Sequence, residues 1–153
     1  MGERANKAYD LFTSGCNCSQ AVFIAFCDKY GIDNDTAMKL AASFGGGMGR
    51  SREVCGAVSG MLLVCGMETG TADTSDQAQK AENYRISRVL MERFKEENGS
   101  IYCRELLGLT KAEASPVPEA RTEKYYKKRP CAELVRCAAT ILEEELLSKN
   151  NNL

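Results

Sequence analysis

CSQAVFIAFCDKYG, residues 18–31, decides the fold class. Its apolar centre, VFIAF at 22–26, has the length and composition of a buried strand. The run around it is longer and rich in alanine, which favours helix. Gly31 also stands where a C′ glycine closes a helix begun near Cys18. MLLV, residues 61–64, poses the same choice and sits in a similar Ala- and Met-rich run. No Asn-Gly turn joins two alternating apolar runs, so there is no hairpin signal. The expectation is an all-α fold: residues 1–153 as one helical domain, a bundle of about five to seven helices.

Working outward, Ala5, Ala8, Tyr9 and Phe12 mark a first amphipathic helix that stops at Ser14-Gly15. Asp33 or Asp35 caps a third through Ala42, ended by the glycines at 45–49. A fourth spans about Glu53 to Cys65, broken by Gly66 and Gly70. Ser75 or Asp76 caps a long fifth, with Ala78, Ala81, Ile86, Val89, Leu90 and Phe94 on or near one face, up to Asn98-Gly99. A short helix follows Ser100 and closes at Gly108. Residues 109–129 hold two prolines and many charges and read as a long loop or arm. Within it, Arg121 to Arg129 reads as a solvated charged linker, with docking of a partner through Tyr125 and Tyr126 as the alternative. Pro130 opens the last helix, whose apolar side is Leu134, Val135, Ala138, Ile141, Leu142 and Leu146. The closing NNNL is expected to fray.

Composition narrows the chemistry. The net charge is −1, so nothing asks for nucleic acid or an anionic membrane. No apolar run reaches the ~18 residues of a membrane span, and no apolar signal core opens the chain. A cytoplasmic location is expected. There is no histidine, which removes Ser-His-Asp and Cys-His catalysis and His-ligated zinc or haem. There are eight cysteines. Reducing cytosol disfavours a disulfide scaffold, leaving metal binding or redox work.

Four cysteines fall at four different helix starts: Cys18, Cys55, Cys103 and Cys131. A helix start carries unsatisfied N–H groups and a partial positive charge, which lower a thiol's pKa. If the four converged, they would form an anionic thiolate site. It could be a metal or iron–sulfur site with these four as ligands, or a reactive dithiol. Buried cysteines also serve as small core residues, and Cys27, Cys65 and Cys137 read that way. Cys16 makes Cys-Asn-Cys with Cys18, offering either a second ligand or a strained disulfide. There is no Cys-x-x-Cys, against a thioredoxin-type site or a zinc ribbon. Gly56, Ala57 and Gly60 form a small-residue face, expected to let another helix come close to Cys55.

The approach to Cys55, FGGGMGR at 44–50, is not a phosphate loop: Phe44 stands where the Walker pattern needs glycine, and Arg50 replaces its lysine. Tight turning at positive φ is the stronger reading.

CGAVSG at 55–60, preceded by FGGGMGR and flanked by NCSQAV, CRELLG and a late PC-x-x-x-V, resembles the C_GCAxxG_C_C family of redox-active proteins, over residues 9–146. The family's recurring cysteines fall on Cys18, Cys55, Cys103 and Cys131. The resemblance implies a small helical protein and supplies no established reaction. Related sequence in split-Soret cytochromes accompanies haem and an iron–sulfur site, but this chain has no Cys-x-x-Cys-His to attach haem. The expected function is redox activity at a four-thiolate site, with an iron–sulfur cluster as preferred occupant and zinc as the alternative. A metal-free dithiol with Cys55 as the candidate redox thiol is a second reading, and a helical interaction module a third. A redox partner protein and a homodimer are the expected partners.

Overall fold

The computed structural model describes residues 2–109 and 115–148, and its regular structure is eight α-helices. α1 (Glu3–Thr13) buries Ala5, Ala8 and Phe12. α2 (Cys18–Cys27) opens on a capping box: the Asn17 side chain accepts from the Gln20 N–H, and the Gln20 side chain accepts from the Asn17 N–H. Every residue of α2 from Ala21 onward is buried, which is why the segment shows no amphipathic period and mimics a strand. It tightens into a 3-10 turn, Asp28–Tyr30, and stops at Gly31 with φ 66°. Asp33 caps α3 (Asn34–Ala41) by accepting from the Thr36 N–H.

α4 (Gly56–Thr69) packs on α2 as the centre of the molecule, with α1 and α8 against α2, and α5 against α4 and α8. The contact is close because Gly60 has no side chain: a β-carbon there would lie 2.8 Å from the Ser19 carbonyl and 3.0 Å from the Val22 β-carbon. α4 begins three residues later than expected. Residues 53–55 are instead paired in extended form with 101–103, through a Val54–Tyr102 bridge. Gly66 does not break α4: burial of Met61, Val64 and Cys65 outweighs the ~1 kcal/mol cost of a helical glycine, and Gly70 ends the helix.

α5 (Gln77–Asn98) is capped by Asp76 and closed by Gly99 at φ 90°. It buries only Leu90 and Phe94; Ala78 and Ala81, expected on the packed face, are exposed because its first half overruns the core. α6 (Cys103–Leu106) is a single turn. The expected linker holds a packed helix, α7 (Glu123–Lys128), with Thr122 accepting from the Tyr125 N–H. Arg121 stacks over Phe12 at 4.6 Å and Tyr125 at 4.8 Å, and the Phe12 and Tyr126 rings meet edge to face, so the segment has its own aromatic cluster. α8 (Cys131–Leu142) buries its whole expected face and runs into a π-helical turn, Glu143–Ser148, where Leu146 is also buried. The NNNL expectation lies outside the described residues.

The α2–α4 contact yields a paired test by urea unfolding. Gly60→Val should destabilise by about 1–3 kcal/mol through overpacking. Gly66→Ala, where a β-carbon meets nothing within 4 Å, should stabilise by about 1 kcal/mol.

Candidate functional site

The starts of α2, α4, α6 and α8 meet round one small cavity. Cys18, Cys103 and Cys131 are the first residues of their helices, and Cys55 is the N-cap of α4. All four line the same space, about 50 Å³ in volume. Local structure explains the convergence. A β-carbon on Gly56 would lie 3.1 Å from the Cys18 β-carbon, and one on Gly47 would lie 2.7 Å from that of Cys103. Both glycines therefore sit hard against a cysteine. The Cys55 N–H donates to the Ile101 carbonyl at 2.7 Å and the Cys103 N–H to the Glu53 carbonyl at 2.6 Å, fastening these two cysteines to one short extended pair. The glycine loop turns as expected, with Gly46, Gly47 and Gly49 at φ 64°, 70° and 60°.

Burial works against the helix starts. The Cys55 thiol is pushed up to about 12 by desolvation, and the Ala57 and Val58 N–H groups only partly offset this. The same desolvation raises Cys103, opposed by Arg52, whose Nη1 donates to the Cys103 Sγ at 3.6 Å. The interaction between the Cys18 and Cys131 thiols is the largest cause of both shifts: it raises Cys18, which keeps the proton, and lowers Cys131. Arg129, Arg52 and Arg121 further favour the Cys131 thiolate. The thiol held below its ordinary value is thus Cys131, whereas Cys55, expected as the candidate redox thiol, is held above it.

Three arginines, Arg52, Arg121 and Arg129, line the cavity together with Tyr125. The donor set is all soft thiolate, which suits iron–sulfur clusters and zinc. Among the described residues, no three His, Cys, Asp or Glu side chains are gathered closely enough to hold a metal ion. The four sulfurs are distributed round a cavity, not drawn to a point.

The other cysteines lie outside this space, and all eight are free thiols. Cys16 faces the Met38 sulfur at 3.8 Å. Cys27 and Cys65 are buried in the core, as expected. Cys137 is only half-buried and donates to the Glu97 carboxylate at 3.0 Å, so its surroundings are partly polar.

The arginines were not singled out from sequence. Arg52 and Arg129 precede Cys55 and Cys131 by three and two residues, a pairing of cation and cysteine that could have flagged them. Arg121 lay hidden in a charge run that reads as solvated.

A family model described as "Putative redox-active protein (C_GCAxxG_C_C)" matches residues 16–145. No curated protein and no solved structure matches the chain. The match spans all four cavity cysteines and most of the sequence, and the chain belongs to the C_GCAxxG_C_C family.

Proposed function

We propose that the chain works as a redox protein through the four cavity thiols, and that Cys18, Cys55, Cys103 and Cys131 hold an iron–sulfur cluster. The observation that carries this reading is their convergence from four separate helix starts onto one arginine-lined cavity. Thiolates gathered this way repel one another, and three arginines with four helix starts are what would offset that charge. A ring of sulfurs round a cavity suits a group of several atoms better than one zinc ion, so zinc is the lesser candidate. A bound cluster would supply one-electron chemistry. The protein's own part is to exclude water, to fix the sulfurs, and to place Arg52 beside Cys103. A redox partner protein would exchange the electrons.

Protein prepared without oxygen is expected to contain iron and acid-labile sulfide and to absorb visible light. Cys→Ser changes at 18, 55, 103 and 131 should each lower the iron content, while Cys27→Ser and Cys65→Ser should not. Full iron in all four cavity variants would overturn the reading.

The shared cavity and opposite shifts of Cys18 and Cys131 favour a second reading, a metal-free dithiol. Oxidation of the pair by a substrate disulfide would form the Cys18–Cys131 Sγ–Sγ bond and break the substrate's S–S bond, whose two sulfurs take up the two electrons and leave as a thiol and a thiolate, with the Cys18 proton passing to one of them. Cys131 would be the attacking thiolate in place of Cys55. Alkylation of Cys131 in reduced, metal-free protein should reach half its plateau rate at a pH below that of a free cysteine. Arg129→Gln should move that midpoint upward, because the thiolate loses a neighbouring cation. A midpoint at or above the free-cysteine value would count against this assignment, and mass spectrometry of the labelled peptides reads it.

A further inference from the structure

Beside the thiol cavity lies a second, larger pocket of about 310 Å³. Asn17, Gly46, Arg52, Arg121 and Tyr125 line both spaces, so the two share a wall. The outer pocket adds Arg50 and Glu119. The thiol cavity alone has no room for a substrate; the outer pocket is at the small end of the range for small-molecule sites.

The charges of the outer pocket are specific. Three arginines face it, and Glu119 is the carboxylate among its described lining residues. Arg121 donates to the Phe12 carbonyl at 3.2 Å, the Cys16 carbonyl at 3.2 Å and the Tyr126 hydroxyl at 3.4 Å. Those acceptors are all neutral, so they orient the guanidinium without cancelling its charge. Glu119 is half-exposed, lies 4.0 Å from Arg50 and pairs with Arg129. A negative group is therefore already held at the rim, by a side chain that solvent can reach. Guanidinium forks match carboxylate and phosphate oxygens. Arg52 reaches from this pocket to within 3.6 Å of the Cys103 sulfur.

The geometry points to the outer pocket as a binding site for a small molecule carrying a carboxylate or phosphate group, held by Arg50, Arg52 and Arg121 next to the thiols. As a binding site it stands on the arginines. As the place where the redox substrate waits, it rests on the function proposed above.

The test is calorimetric titration of the reduced full-length protein at low ionic strength, with inorganic phosphate in one arm and acetate in the other. Saturable binding of at least one anion is expected, and the arm that binds identifies the headgroup. Arg50→Gln should weaken it about tenfold, the loss of one charge-assisted contact. Glu119→Gln should tighten it severalfold by removing the resident carboxylate, a gain that misfolding cannot imitate. Absence of saturable binding in both arms, or binding that neither substitution alters, would overturn the proposal. Binding that persists when all four cavity cysteines are alkylated would keep the anion site even if the redox reading failed. Arg50→Gln, outside the thiol cavity, should leave iron content untouched.

Discussion

Backbone reaches backbone between α2 and α4, and the site exists because of it. Gly60 lets the two helices close, and Gly56 lets Cys18 and Ser19 lie against the start of α4. That contact aligns two helix starts side by side. Their cysteines then face the same space. The remaining two helix starts are brought in by different means, one by the extended pair at 53–55 and 101–103 and one by α8 packing on α1, α2 and α4. Small residues here are a geometric requirement of the chemistry, because any side chain would separate the sulfurs.

Convergence creates an electrostatic problem that the helix ends alone do not solve. Their N–H groups lower the Cys55 thiol, but burial raises it further. Desolvating an ionised group generally exceeds what one helix terminus returns. The arginines meet this deficit from inside the wall. Delivering Arg52 requires an unusual backbone: Met48, Arg50 and Arg52 have φ of 69°, 62° and 59°, a region that costs non-glycine residues roughly 1–2 kcal/mol each. Arg52 ends 6% exposed with Nη1 on the Cys103 sulfur, so the strained turn and the buried cation belong to one construction.

Helices and their caps were readable because they depend on neighbours in sequence. Asp33 and Asp76 are polar caps at helix starts, and Gly31 and Gly99 sit in left-handed closures. The cysteine set was readable for the same reason: position relative to a helix start is local information. What escaped was tertiary. The true start of α4 depends on pairing with residues far along the chain, and α7 is held by Arg121 and the rings of Phe12, Tyr125 and Tyr126. The inversion of the Cys55 and Cys131 thiols could not be foreseen either, since burial and the Cys18 contact exist only in the folded chain.

The extended pair has a mechanical consequence. Arg52, Cys55 and Cys103 are stapled to one piece of backbone, since the Arg104 N–H also donates to the Arg52 carbonyl. The backbone positions that carry the cation and the sulfur it touches cannot separate unless that pairing comes undone. Arg121 and Arg129 belong to another part of the chain, flanking α7 on either side, and they reach Cys131 from there. The cage thus has one hard-wired counter-charge and two that come on a separate strap. Displacing the strap would remove two of the three cations that favour the Cys131 thiolate, while Cys103 would lose only the lesser contribution of Arg129 and keep Arg52, so neighbouring sulfurs would respond unequally to one movement.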